Sequence, residues 1–277
     1  MAVPIKMKKN KGEQQLAVEF EMVSKSYIDS QAIIDANLKI TTGSFTVLVG
    51  PSGCGKSTLL NLAAGLEKPT TGYVFVDGWQ VDGPTKDAAL LFQSYNLFPW
   101  LTALDNVAFG LENRGLGKAD ARDEARGLLG NVGLGSVADK VPTELSGGMK
   151  QRVALVRAFA LKPSLLLMDE PFAALDFQTR KMMQSYLLST WQDTGATVIM
   201  VTHDLSEALY LADRIALISG SPGTVSEVID IDVPRPRNKK NGILNDIYQK
   251  LEAHLETEAA RGEFTEEELM KLRKFHA

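Results

Sequence analysis

The 277-residue sequence has little cysteine, little histidine, no excess of basic charge and no long apolar run, and each scarcity excludes something. The single cysteine, Cys54, rules out an internal disulfide and fits a reducing compartment, where it reads as a small residue in a tight turn rather than a nucleophile. No stretch of 18 or more apolar residues occurs, so no segment has the character of a bilayer-spanning helix, and a membrane role would need a partner to supply the membrane part. Thirty Lys and Arg stand against 34 Asp and Glu, a net charge of -4 that offers no electrostatic grip on nucleic acid. Lys6, Lys8, Lys9 and Lys11 are not followed by an apolar segment, so residues 1–15 read as a loose arm rather than a secretory signal. With 44% hydrophobic and 23% charged residues, the remainder can bury a sizeable core in one or two domains.

What the sequence does hold is organised around Gly50-Pro51-Ser52-Gly53-Cys54-Gly55-Lys56-Ser57-Thr58, which matches the phosphate-cradling pattern G-x-x-x-x-G-K-[S/T]. Ahead of it, the segment Ser44 to Val49 carries a short apolar, β-branched run suited to a buried parallel strand. Behind it, Lys56 to Ala64 is a run of good helix formers. The glycines therefore fall at a strand-to-helix turn, where backbone N–H groups and the positive end of a helix converge on anionic oxygens. Gly50, Gly53 and Gly55 lack the Cβ that would keep a phosphate at a distance. Lys56 reaches the terminal phosphates as a point charge, the Ser57 hydroxyl is placed to ligate Mg²⁺, and Thr58 adds a hydrogen bond to phosphate.

Further candidates follow in order along the chain. Leu16 to Met22 alternates apolar residues with Glu19 and Glu21, the pattern of a half-exposed strand, and Ile33 to Ile40 is similar. Tyr27, just after the first strand, offers a ring that could stack on adenine, although an aromatic in such a place more often closes a core edge. Ala88 to Phe92 is a strand candidate ending at Gln93, an amide suited to sensing a metal-bound nucleotide at a sheet edge. Leu97-Phe98-Pro99-Trp100-Leu101 is too apolar for an uncovered connection and reads either as core packing or as a docking patch for another protein. From Ala103 to Asp139 the β-branched runs give way to helical spacing. That stretch closes on Leu145-Ser146-Gly147-Gly148-Met149, where Ser146 sits at an N-cap position and the helix start behind it forms a second anion site. Leu165 to Met168 form a buried strand delivering Asp169 to the Mg²⁺ edge, and Glu170 beside it is placed to orient or deprotonate a water attacking the γ-phosphate. The strand Thr197–Val201 leads to His203, where a histidine can contact a phosphate oxygen or that water; alone it would read as structural, but its order after the other groups favours the functional reading.

The ordered set of phosphate loop, Gln93, Leu-Ser-Gly-Gly, Asp169-Glu170, Ala174-Leu175-Asp176 and His203 resembles the ATP-binding cassette family over roughly Leu16 to Asp232. The resemblance implies an α/β P-loop NTPase core with a mixed, largely parallel sheet, an antiparallel β subdomain and a helical subdomain at about residues 95–160. The cassette itself would span residues 16–235, followed by a tail at 236–277. It assigns Tyr27 to adenine stacking, Gln93 to the Q-loop, Leu145 to Met149 to the signature, Asp176 to the D-loop and His203 to the switch. ATP with Mg²⁺ is the implied fuel, with Ser57, Gln93 and Asp169 around the metal. It further implies a head-to-tail homodimer in which each ATP lies between one chain's Lys56 loop and the other chain's Ser146-Gly147-Gly148. Membrane permease subunits would dock near Leu97, Phe98 and Trp100, an extracytoplasmic solute-binding protein would serve the same system, and the ATPase would work at the cytoplasmic face of the membrane.

The wording of Asn96 to Thr102, Leu145 to Arg152 and Val233-Pro234-Arg235-Pro236-Arg237 is similar to nitrate, sulfonate and taurine importer cassettes, with Met149 standing where many members have Gln. The alternative within the same resemblance is a soluble cassette mechanoprotein acting on nucleic acid or ribosomes. Such proteins usually carry paired cassettes, a long coiled coil or basic surfaces, and this sequence has none. In the tail, Ile243, Leu244, Ile247, Tyr248, Leu251 and Leu255 at helical spacing predict one amphipathic helix. Thr265 with Glu268 ahead of Leu269 and Leu272 predicts a second.

Overall fold

The computed structural model describes residues 15–85, 87–237 and 241–258. The N-terminal lysines and the predicted capping box at Thr265 and Glu268 lie outside the described residues. In chain order the strands are β1 (Leu16–Ser26), β2 (Gln31–Thr41), β3 (Phe45–Val49), β4 (Thr71–Val76), β5 (Trp79–Gln80), β6 (Ala88–Leu91), β7 (Leu165–Asp169), β8 (Thr197–Val201), β9 (Arg214–Ser219) and β10 (Thr224–Asp230). The helices are α1 (Lys56–Ala63), α2 (Ala103–Asn113), α3 (Lys118–Asn131), α4 (Gly147–Ala160), α5 (Phe177–Thr194), α6 (Leu205–Leu211) and α7 (Gly242–Glu258). None of the described helices is long and apolar enough to cross a membrane. The backbone divides into two compact units, one built from residues before 87 and after 196, the other from residues 87–196.

In the first unit β3 lies between β8 and β9, parallel to both, with Val47 level with Met200 on one side and Ile215 on the other. Every residue of β3 and β8 is buried. Parallel strands covered on both faces read as near-continuous apolar runs, and here only Thr46 and Thr197 interrupt them. A second, antiparallel sheet runs in the order β2-β1-β4-β5. Here the predicted half-exposed alternation is only partly right. Glu21 is half-buried, but Glu19 is 3% exposed and its carboxylate meets Lys39 Nζ at 2.9 Å. The buried charge is tolerated because Lys39, directly opposite Glu19 on the neighbouring strand β2, neutralises it.

The Val233–Arg237 segment fastens the far end of α6. Asp213 accepts from the Phe45 amide at 2.9 Å and from Arg235 Nη1 at 2.6 Å, and Arg235 Nη2 donates to Leu211 O at 2.5 Å. Arg237, 8% exposed, donates to the carbonyls of Val233, Leu209, Ala212 and Ile231. Cations at a helix C-terminus satisfy its orphan carbonyls and complement its dipole. Burial, with Arg235 beside it, depresses the Arg237 pKa to about 10.

The first tail helix, α7, docks on the same unit. Leu244, Tyr248, Leu251 and Leu255 are buried, as the spacing predicts, whereas Ile243 is 60% exposed because it falls off that face in the first turn. Polar groups fix the register: His254 Nε2 and Ser219 Oγ lie 2.7 Å apart, and Glu258 accepts from the Gly220 amide at 3.1 Å. Leu251→Ala is expected to lower unfolding free energy by about 2–5 kcal/mol, and Ile243→Ala to change it by under about 0.5 kcal/mol. Urea denaturation of the two variants measures both.

In the second unit β6 pairs with β7 in parallel, Leu90 level with Leu167. Helices α2, α3 and α4 form the helical region foreseen after residue 103. The α2 start is capped by Thr102, which accepts from the Asp105 amide.

Candidate functional site

The phosphate loop leaves β3 and turns sharply into α1. Gly53 and Gly55 have φ of +80° and +89°, a region that favours glycine. The loop is also pressed against its own unit: a Cβ on Gly50 would come within 2.2 Å of Ile218 O, and one on Gly55 within 2.4 Å of Ile33 Cδ1. Pro51 and Cys54 are buried, while Ser52 and Gly53 are exposed at the lip. Lys56 is 8% exposed, its ammonium donating to Gly50 O at 2.8 Å and Pro51 O at 2.5 Å. Two carbonyl oxygens thus hold the cation at the place where phosphate oxygens would be attracted. Ser57 is exposed and Thr58 half-buried in the first turn of α1. Burial pushes the Cys54 thiol up despite the nearby Lys56, so it is held as an inert thiol.

Tyr27 is 45% exposed and is not a core-edge ring. Its hydroxyl donates to Glu67 at 2.6 Å, and Glu67 also accepts from Asn61 of α1 at 3.1 Å and pairs with Lys25 at 3.3 Å. Burial works to raise the Glu67 pKa, but these partners outweigh it and hold the carboxyl below its usual range. Glu67 therefore fixes the ring relative to the loop helix, a role that no spacing in the sequence advertised. His203 lies exposed between β8 and Asp204, the N-cap of α6.

The second unit gathers the other acid and amide groups. Asp169 ends β7, and Glu170 follows with φ of +47°. Gln93, two residues past β6, donates to Glu170 Oε2 at 3.4 Å, so two of the predicted hydrolytic groups meet. Ser146 caps α4 as expected, accepting from the Met149 amide at 3.3 Å, with Gly147 exposed and Gly148 half-buried behind it. Asp176 accepts from the amides of Gln178 and Thr179 and caps α5. Hydrogen bonds from Thr179 hold its carboxyl below the ordinary aspartate value.

The apolar connection 97–101 divides its labour. Phe98 packs 5.0 Å from Phe109 and 5.6 Å from Trp100, while Trp100 itself is 73% exposed. Asn106, fully buried, accepts from the Phe98 amide and donates to the carbonyls of Phe98, Leu101 and Thr102. Arg157 lies over the Phe98 ring and donates to Tyr95 O at 3.3 Å. Neither Asn106 nor Arg157 was legible in advance, because a polar residue inside a helical pattern carries no mark of what it will tie down.

With these features in place, comparison with known proteins decides the family. The profile described as ABC transporter matches residues 33–173, just over half of the chain. The chain belongs to the ABC transporter family. It is an ATP-binding cassette, an α/β P-loop ATPase, as its residues implied. Among curated relatives, the nitrate import ATP-binding protein NrtD of Synechocystis sp. is 47% identical over 75% of this chain and 80% of its own. The bicarbonate transport ATP-binding protein CmpC of Synechococcus elongatus is 43% identical over 87% of this chain and 37% of its own. A solved dimeric cassette in a post-hydrolysis state bound to ADP and Pi superposes with a TM-score of 0.72 at 33% identity, covering 78% of this cassette and 100% of that chain.

Replacing the buried amide of the cassette's helical region, Asn106→Ala, leaves the Phe98 amide without its acceptor. The expected cost is about 1–3 kcal/mol, with hydrogen exchange at the Phe98 amide accelerated at least about tenfold. Native-state exchange measured by NMR or mass spectrometry checks both.

Proposed function

We propose that this cassette is the ATP-hydrolysing subunit of an importer for a small anion or an organic nitrogen or sulfur solute, of the nitrate, bicarbonate, sulfonate or taurine type. The nitrate and bicarbonate relatives support the solute class. Two copies pair head to tail, each ATP held between one copy's Lys56 loop and the other's Ser146-Gly147-Gly148. The dimeric solved cassette supports that arrangement, and two-fold symmetry permits it. Permease subunits dock at the exposed Trp100 and its neighbours Leu97 and Phe98, which puts the cassette at the cytoplasmic face, with a solute-binding protein delivering cargo from the other side.

The observation that carries the hydrolytic reading is the meeting of Gln93 with Glu170 at 3.4 Å beside Asp169. Glu170 holds the attacking water and takes its proton as the water oxygen bonds to the γ-phosphorus and the bond from that phosphorus to the oxygen bridging the β-phosphate breaks, so that ADP leaves with that oxygen and phosphate is released. His203 donates to the γ-phosphate oxygens, Lys56 shifts from the carbonyls of Gly50 and Pro51 to the β- and γ-phosphates, and Tyr27 stacks on the adenine. The donors fit Mg²⁺: a hydroxyl from Ser57, a carboxylate from Asp169 and an amide oxygen from Gln93 are hard oxygen ligands. Among the described residues no cluster of three or more His, Cys, Asp or Glu competes as a metal site. When bound, the ion neutralises the charge that develops between the β- and γ-phosphates.

Glu170→Gln should retain ATP affinity within about threefold and lose at least about a hundredfold in hydrolysis, accumulating a closed ATP-bound dimer visible by size-exclusion chromatography. Full hydrolysis by that variant removes Glu170 from the role. Lys56→Ala should weaken ATP binding at least about tenfold in calorimetry, and unchanged affinity would undo the reading of the loop.

A further inference from the structure

One buried amide connects the start of α4 to the residue proposed above to activate water. Gln151 lies one turn into α4, four residues after Gly147 and therefore on the same helix face. It is 3% exposed, and both ends of its amide are spent on one short turn. Nε2 donates to Glu170 O at 3.3 Å, and Oε1 accepts from the Ala174 amide at 3.0 Å. That turn begins with Glu170 and ends just before Asp176. The Ala173 amide also donates to Glu170 O at 3.3 Å, so the carbonyl accepts from two directions.

The backbone at Glu170 explains why such a tether matters. Its φ of +47° places a residue with a Cβ in the left-handed region, which L-residues other than glycine enter only at a cost. A residue stays there only when its surroundings hold it. The φ and ψ of Glu170 set the direction of its Cα–Cβ bond, and so the position from which its carboxylate reaches. The start of α4 is pressed onto the same turn: a Cβ on Gly148 would lie 3.3 Å from Ala174 O and 3.4 Å from Leu175 Cδ2. A buried glutamine has to satisfy its amide somewhere. Here both bonds go to the turn that carries Glu170, one of them to Glu170 itself.

We propose that Gln151 is a positioning residue for ATP hydrolysis: its amide holds the backbone of Glu170 in the conformation that aims the carboxylate, and it ties that aim to α4, whose first residues are Gly147 and Gly148. The inference rests on Glu170 being the group that activates water. It predicts a turnover defect with little binding defect, since both hydrogen bonds of the Gln151 amide go to the turn that carries Glu170. A misplacement of about 1 Å at a reacting group costs up to about a hundredfold.

Two variants of the full chain test this. Gln151→Leu keeps the volume and deletes both bonds. Its kcat is expected to fall about ten- to a hundredfold, with the KM for ATP within about threefold of the parent. Gln151→Glu keeps the acceptor for Ala174 N–H but loses the donor to Glu170 O while ionised, and regains it as a neutral carboxylic acid. Burial favours that neutral form, so its kcat relative to the parent should climb as pH falls from about 8 to about 6. Thermal melts of both variants with bound nucleotide at each pH separate this from unfolding. If Gln151→Leu does not fold, the pH series of Gln151→Glu decides alone.

Parent-like kcat in Gln151→Leu overturns the proposal, as does a kcat loss matched by an equal loss of ATP affinity, or a Gln151→Glu profile that runs parallel to the parent at every pH. Glu170→Gln assayed alongside distinguishes the two levels. If that variant hydrolyses normally, the assignment of Glu170 fails. If it stalls while Gln151→Leu turns over normally, only the role of Gln151 falls.

Discussion

A buried cation dominates the nucleotide end of this molecule. The Lys56 ammonium is withdrawn from water at the start of a helix whose own N-terminal dipole is positive, so it needs oxygen partners, and Gly50 and Pro51 supply carbonyls. Those carbonyls are adequate but neutral. An oxyanion with several negative oxygens answers the same charge better and also satisfies the loop's N–H groups. The tight glycine turn, the fully buried β3 and the neighbouring strands β8 and β9 are the scaffold that this arrangement needs.

Much of that scaffold was legible in the residues. The runs at Phe45–Val49, Leu165–Asp169 and Thr197–Val201 read as buried strands and Ser146 as a helix cap, and the structure has them so, because those signals are local. Glu19 misled for the opposite reason. Its alternation suited a strand open to water on one face, but what covers a sheet face is a long-range outcome, and Lys39 had to be brought from β2 to make the burial tolerable. Gln151, Asn106 and Glu67 escaped notice similarly. Each acts through partners between 4 and 51 positions away along the chain, and none belongs to a motif whose chemistry names it.

The segment Val233–Arg237 shows how a family-like wording acquires physical content. Two arginines separated by a proline reach the last carbonyls of α6, while Asp213 joins one of them to the first amide of β3. The helix that begins two residues after His203 is thereby held at its opposite end by a charge network rather than by apolar packing alone. The tail helix adds its own grip through His254 and Glu258 on the residues Ser219 and Gly220.

The hairpin gripped by the tail has another contact, at Gly223. A side chain at position 223 would collide with Cys54 O at 1.9 Å, and the backbone of Gly223 bonds both ways to β2, through Ala32 O and Ile34 N. The floor beneath the triphosphate cradle is therefore main chain laid directly on main chain. Such a floor has no rotamers with which to absorb an error, so a lineage drifting at position 223 would have to rebuild the cradle before it could tolerate even one added methyl group.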